Sequence, residues 1–169
     1  MEPTIKILTL IRHAKSSWKD PTLPDWDRPL NKRGRRDAPM MGERLAAREA
    51  YADLLITSSA VRAVATAEAI AEAIEYPADD IVLDERLYGA DEFEILEVVQ
   101  DLDDAWERVM LVGHNPGLTD LVNALSPTEI DNLPTCGIVE MTYDTESWAL
   151  VGRVDPVAVD YDYPKKDLR

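Results

Sequence analysis

The sequence predicts a single α/β domain at residues 1–159, in which a mostly parallel central sheet carries helices on both faces. Three apolar runs, at 5–11, 54–56 and 109–112, are nearly continuous rather than alternating. Such runs are typical of strands that are covered on both faces. Segments of helical periodicity separate the runs, and this alternation of strand and helix favours parallel pairing.

The pattern changes near the C-terminus. Apolar residues at 138–143 and 148–154 flank a polar turn at 144–147, which predicts an antiparallel hairpin at the edge of the sheet. Residues 160–169 are polar and contain a proline, so we expect a loose C-terminal tail there.

The helical segments carry recognisable start and stop signals. Ser58 or Ser59 is a candidate N-cap for the second helix, and Asn115 is one for the fourth, with Pro116 at the tolerated first position. Pro39 cannot donate a backbone hydrogen bond, so we expect a break or kink in the first helix. The predicted helices are 31–47, 60–74, 95–102 and 118–125.

Composition and charge exclude several classes of function. The chain has 169 residues with 18 Lys and Arg against 33 Asp and Glu, a net charge of −15. This excess of acid argues against nucleic acid and anionic membranes as main partners. A single cysteine, Cys136, excludes an intrachain disulfide, and two histidines cannot build a zinc cluster. We find no secretory signal or membrane span and therefore expect a cytoplasmic protein.

Both histidines follow predicted strands. His13 comes directly after the first strand, and His114 comes after the third with one intervening glycine. Ligands of open parallel sheets bind at the carboxyl ends of strands, so we expect both imidazoles at one edge. Each alone would more often be an ordinary hydrogen-bonded loop histidine, but two at matched strand ends favour a site.

Two arginines are expected to join the histidines. Arg12 ends the first strand. Arg62 lies in the first turn of the helix after the second strand, and the free N–H groups at a helix N-terminus also favour anions. Arg62 by itself would be interpreted as a solvated surface residue. Together the four side chains predict a cationic pocket that suits a phosphoryl group. The sequence has no Walker loop, and its Asp-rich stretches have no neighbouring histidine for a two-metal site.

Five segments, in this order along the chain, resemble motifs of the histidine phosphatase superfamily, which has the phosphoglycerate-mutase-like fold. The first resembles the signature of the family, with alanine in place of the usual glycine. The others are similar to the start of its first helix, its second-arginine motif, the region of its acid and its second-histidine motif. The segments are 10–14, 28–34, 58–67, 84–89 and 112–117.

The resemblance implies a mechanism. His13 would attack phosphorus and carry a transient phosphohistidine, and Arg12, Arg62 and His114 would hold the phosphoryl oxygens. Water would then hydrolyse the intermediate. Flanking guanidinium groups favour the neutral imidazole that such an attack needs. The resemblance implies no metal and no cofactor.

The proton donor is the least defined part of the predicted site. Glu85 is the candidate, since it follows a short apolar run and should lie near another strand end, and Asp91 is the second choice. Alternatively, Glu85 pairs with Arg62 or Arg86. At the position where many relatives place a phosphate-binding asparagine, this chain has Lys19, so an ammonium group replaces that contact or the contact is absent.

Within the superfamily, the short chain and the residues 12–16 look most like the small bacterial phosphohistidine phosphatases of the SixA type. The substrate implied is a protein phosphohistidine. Two alternatives stay open: a phosphatase of a small phosphorylated metabolite, and a non-catalytic relative that only binds phosphoproteins. The sequence leaves the oligomeric state undefined.

Overall fold

A six-stranded mixed sheet forms the centre of the computed structural model, which describes residues 4–166. The strand order is β3-β2-β4-β1-β5-β6, and the first four strands in this order are parallel, whereas β5 pairs antiparallel with both β1 and β6. This arrangement confirms the predicted mostly parallel sheet with an antiparallel C-terminal edge. The strands are β1 Ile5–Arg12, β2 Leu54–Thr57, β3 Val82–Leu83, β4 Arg108–Gly113, β5 Ile138–Asp144 and β6 Ala158–Asp162.

Helices cover both faces of the sheet, as predicted. One apolar core joins α1 and α2 to side chains such as Leu55 and Met110, and the other joins α3 and α4 to side chains such as Ile56 and Leu111. Alternate residues of the strands β2 and β4 thus face opposite layers, so both faces are apolar. No helix within residues 4–166 is long and apolar enough to cross a membrane. The helices are α1 Lys32–Ala47, α2 Val61–Ala73, α3 Glu92–Gln100 and α4 Gly117–Leu125.

The second strand of the C-terminal hairpin lies later in the chain than predicted. The segment predicted as a strand contains a 3-10 helix, Trp148–Leu150, because the indole of Trp148 is fully buried and donates a hydrogen bond to the Trp106 carbonyl at 2.8 Å. The strand that pairs with β5 is β6, which occupies the start of the predicted loose tail. Asp162 is buried there between Arg44 and Arg48, so the tail prediction is wrong for 160–162; residues 167–169 lie outside the described residues.

The predicted break in α1 is absent, and the predicted caps of α2 and α4 are wrong. Helix α1 continues over Pro39 without a break. This proline is exposed, so water can solvate the carbonyl group that loses its helical partner. The N-cap of α2 is Ala60 and not a serine, and no side chain caps it. The N-cap of α4 is Pro116 and not the predicted Asn115, although Oδ1 of Asn115 accepts a hydrogen bond from the Thr119 amide at 3.2 Å.

Candidate active site

The two histidines meet at the carboxyl edge of the sheet. Strands β1 and β4 are neighbours, and Arg12 at the end of β1 is in register with Gly113 at the end of β4. His13 and His114 come next, and their ring centroids are 5.0 Å apart. Both open onto a pocket of about 300 Å³. The other residues that line this pocket are Arg12, Asp25, Arg62, Tyr88, Gly89 and Asn115.

His13 is held in one tautomer by its own backbone. Its Nδ1 lies 2.7 Å from the carbonyl oxygen of Ala14, and because a carbonyl only accepts, Nδ1 carries the proton. Burial, reinforced by the charges around the pocket, lowers the pKa of His13 to about 3. The ring is therefore neutral near pH 7, and its Nε2 keeps a free electron pair. Within residues 4–166 no protein group hydrogen-bonds to this Nε2.

His114 is oriented by a buried serine. Its Nε2 lies 2.8 Å from the hydroxyl of Ser58, which is fully buried at the end of β2. Burial and the positive charge of Arg62 lower the pKa of His114 to about 4. The sequence suggested Ser58 only as a helix cap. No sequence signal identifies its contact with His114, because the two residues are brought together by the pairing of β2 with β4.

The two arginines enter the pocket from different elements. Arg12 donates from Nη1 to the Leu133 carbonyl at 2.9 Å, while its buried Nε has no hydrogen-bond partner within residues 4–166. Arg62 lies in the first turn of α2 and is largely buried. Both guanidinium groups line the pocket, and a guanidinium is a planar cationic donor that matches the oxygens of a phosphoryl group.

Asp25 is a pocket residue that the sequence reasoning missed. It begins a short 3-10 helix in the long loop after β1, and its carboxylate accepts hydrogen bonds from Arg62 at 2.9 Å, Tyr88 at 2.6 Å and Arg28 at 2.8 Å. The Tyr88 hydroxyl and the two guanidinium groups hold the pKa of this carboxyl well below its usual range. Its place in a charged loop gives no signal of this role.

The predicted proton donors do not line the pocket. Glu85 is exposed, and the segment that contains it contributes Tyr88 and Gly89 instead. Glu85 also does not pair with an arginine within the part of the chain described, since Arg62 pairs with Asp25 and Arg86 with Asp84 and Asp101.

Two further residues named from the sequence lie outside the pocket. Asp91 is the N-cap of α3 and forms a capping box with Glu94, in which its side chain accepts a hydrogen bond from the Glu94 amide at 2.9 Å. Lys19 lies in a neighbouring groove, so its ammonium does not replace the asparagine of the relatives. Among the described residues, no group of three or more His, Cys, Asp or Glu converges as metal ligands would.

The carboxyl edge of an α/β sheet is where ligands of such folds bind, and the imidazole and guanidinium groups gathered there are suited to a phosphoryl group. Comparison with known proteins agrees. The profile of the histidine phosphatase superfamily (branch 1) matches residues 8–108. An uncharacterized protein of Mycobacterium tuberculosis is 33% identical over 138 residues, which are 76% of this chain and 84% of the relative. The chain therefore belongs to the histidine phosphatase superfamily.

Solved structures place the chain near one branch of that superfamily. A candidate phosphohistidine phosphatase, SixA, from Agrobacterium tumefaciens is 28% identical with a TM-score of 0.79, covering 97% of this chain and 100% of the other. The protein histidine phosphatase SixA in complex with tungstate has the same fold, at a TM-score of 0.74 and 21% identity over 93% of this chain and 94% of that one. Family and fold together support a phosphatase.

Proposed function

We propose that this protein is a metal-independent phosphatase that acts on protein phosphohistidine through a phosphohistidine intermediate on His13. The observation that carries the proposal is the tautomer of His13. Its Nδ1 proton is committed to the Ala14 carbonyl, so a free Nε2 electron pair faces a pocket lined by two guanidinium groups. A neutral, oriented imidazole among fixed cations is the arrangement that attack on an anionic phosphorus requires.

In the first step, Nε2 of His13 attacks phosphorus, and the bond between phosphorus and the substrate imidazole breaks. Arg12 and Arg62 neutralise the phosphoryl oxygens as their charge rises, and His114 adds a further contact. The departing imidazole of the substrate takes a proton from water. These arginines supply the charge neutralisation that a metal ion supplies in other phosphatases.

In the second step, water attacks the phosphorus on His13, the bond between phosphorus and Nε2 breaks, and inorganic phosphate leaves. The proton released by the attacking water is taken up by the bulk solvent. His13 returns to its neutral tautomer, because the Ala14 carbonyl holds the Nδ1 proton throughout. The enzyme therefore ends the cycle unchanged.

Protein phosphohistidine is favoured as the substrate by the electrostatics of the pocket. An alkyl phosphate ester releases a poor leaving group and needs a protonated acid close by, whereas an imidazole leaves readily. The carboxyl group that lines the pocket, Asp25, has a pKa held well below its usual range and is ionised near neutrality. The similarity to the Agrobacterium protein named as a candidate phosphohistidine phosphatase supports the same substrate class.

The test compares the variants H13N and H114N with the unchanged protein on a ³²P-labelled phosphohistidine protein. We expect the unchanged protein to acquire an acid-labile, base-stable label and to release phosphate. H13N should lose the label and at least about a thousandfold in turnover, as expected for a missing nucleophile. H114N keeps the nucleophile, so it should still become labelled, but more slowly.

Full turnover or labelling of H13N would contradict the proposal. A panel of phosphorylated metabolites tested beside the phosphoprotein identifies the substrate class, and faster hydrolysis of a metabolite would overturn the phosphohistidine assignment. Excess EDTA should leave the rate unchanged. A loss of activity with EDTA that a divalent cation restores would contradict metal independence.

A further inference from the structure

A groove of about 670 Å³ lies on the basic loop that borders the pocket. It runs between the loop after β1 and the first turn of α1. The cationic side chains that line it are Lys19, Lys32 and Arg35, and all three are exposed. The acidic residue in its lining, Asp20, accepts hydrogen bonds from the amide and hydroxyl of Thr22.

Backbone hydrogen bonds join the two arms of the loop that carries the groove, and this loop also borders the pocket. The amide of Asn31 donates to the Lys15 carbonyl at 2.9 Å, and the amide of Ser17 donates to the Pro29 carbonyl at 2.8 Å, so the two arms of the loop form one unit. A smaller cavity of about 170 Å³ on this unit is lined by Lys15 and Trp18 together with His13 and Arg62. A ligand bound through its phosphoryl group at His13 therefore lies beside Lys15 and Trp18, and this cavity adjoins the groove along the chain at Ser16 and Ser17.

The distribution of charge along the chain is strongly uneven. Residues 12–36 contain eight Lys and Arg against three Asp, whereas the rest of the chain contains ten against thirty acidic residues. Despite this excess of acid, the cations Lys15, Lys19, Lys32 and Arg35 form no ion pair within residues 4–166. Arg35 donates to the Leu30 carbonyl at 2.8 Å, but within residues 4–166 no carboxylate forms an ion pair with these cations, so their charge can act on an anion from outside.

We propose that this surface, the basic groove of Lys19, Lys32 and Arg35, docks acidic side chains that flank the phosphorylated residue of a protein substrate. The inference rests on the proposed function, since the partner carries its negative charges next to the phosphoryl group in the pocket. The remainder of the chain carries a net charge of about −20, which repels an extended polyanion. An acidic protein surface therefore fits better than nucleic acid.

Electrostatic docking of this kind changes affinity and association rate more than chemistry. The basic groove contributes nothing to the reacting atoms, which lie at His13 in the pocket. Loss of its cations should accordingly raise KM for an acidic phosphoprotein and leave kcat unchanged. The increase in KM should disappear at high salt. Exposed charges are already screened within about 8 Å at physiological ionic strength, and this length shortens as salt is added.

The experiment uses two peptides that carry a stable phosphonate analogue of phosphohistidine, one flanked by glutamates and one by glutamines. Dissociation constants are measured by fluorescence anisotropy at 50 mM and 500 mM salt. The variant K19Q/K32Q is compared with R153Q/K165Q, which removes the same charge at exposed cations outside the groove.

We expect the unchanged protein to bind the Glu-flanked peptide about tenfold more tightly at 50 mM salt. K19Q/K32Q should lose this preference while it keeps its affinity for the Gln-flanked peptide, and R153Q/K165Q should retain both. Equal binding of the two peptides by the unchanged protein, or binding of neither, would overturn the proposal. The proposal would also be overturned if the protein bound a DNA duplex more tightly than the Glu-flanked peptide and this binding depended on Lys19 and Lys32.

The binding measurement is separate from turnover. If the protein fails to hydrolyse phosphohistidine, the proposed function is wrong, whereas a preference for acidic flanks that depends on Lys19 and Lys32 would still establish the groove. If hydrolysis proceeds and the flank preference is missing, the docking proposal alone fails.

Discussion

Asp25 places a negative charge at the wall of the pocket that we propose binds a phosphoryl group. Its carboxylate lies 2.9 Å from Nη2 of Arg62, and its backbone carbonyl accepts from Nη1 of the same guanidinium at 2.7 Å. The residue thus fixes the plane of Arg62 at two points. It also repels any phosphoryl group that binds to Arg62. The carbonyl contact is independent of the side chain, so the repulsion can be removed while one positioning contact stays.

We predict that Asp25→Asn increases the affinity for inorganic phosphate about tenfold. Two charges a few ångströms apart near a protein surface interact by a few kcal/mol, which exceeds the roughly 1 kcal/mol of one hydrogen bond. Phosphate as a competitive inhibitor of turnover provides the measurement. Asp27→Asn is the matched control, because Asp27 lies in the same 3-10 helix and is exposed. Weaker phosphate binding by Asp25→Asn would show that positioning of Arg62 outweighs repulsion.

Among the elements, the loop after β1 and the start of helix α1 pack closely beside the site. Gly34 is buried in the first turn of α1, and a Cβ atom there would lie 2.1 Å from the carbonyl oxygen of Lys15. That carbonyl already accepts the Asn31 amide, and Lys15 follows Ala14, which fixes the tautomer of His13. The helix start, the loop and the imidazole are therefore mechanically linked.

Gly34→Ala should decrease the free energy of unfolding by about 2 kcal/mol, since a methyl group must displace backbone. Urea unfolding measures this change. In Gly113→Ala the new methyl would have its nearest neighbours at 3.6 Å, so this control should stay close to the unchanged protein although it lies beside His114. Equal stability of Gly34→Ala and the unchanged protein would contradict the close contact.

For the whole molecule, the burial of both histidines links stability to pH. Burial lowers the pKa of His13 to about 3 and that of His114 to about 4, whereas an unfolded histidine titrates near 6.5. Between these values the unfolded chain binds more protons than the folded one. Acidification in this range therefore favours unfolding, and stability increases as the pH rises toward 6.5.

Each histidine should contribute a loss of about 2 kcal/mol in the free energy of unfolding between pH 7 and pH 5. Urea unfolding at the two pH values measures the total. The variant His13→Asn cannot take up this proton, so its loss should be smaller than that of the unchanged protein by about 2 kcal/mol. An equal pH dependence of both proteins would show that His13 titrates normally in the folded state.

Much of the architecture could be predicted from the sequence because it depends on local patterns. The apolar runs and helical periodicities identify β1, β2, β4 and the four helices. The ends of β1 and β4 also bring His13 and His114 together, since parallel strands share a carboxyl edge. These features can therefore be predicted without information on contacts between distant segments.

The features that the sequence did not determine depend on contacts between distant segments. Trp148 leaves the predicted strand because its indole is buried against Trp106, and β6 forms in the predicted tail because Asp162 pairs with Arg44. Asp25 contacts the pocket through Arg62 and Tyr88, which lie 37 and 63 residues later in the chain. Patterns within a short window contain no information about such pairs, so the tertiary structure alone decided which carboxylate faces the candidate pocket.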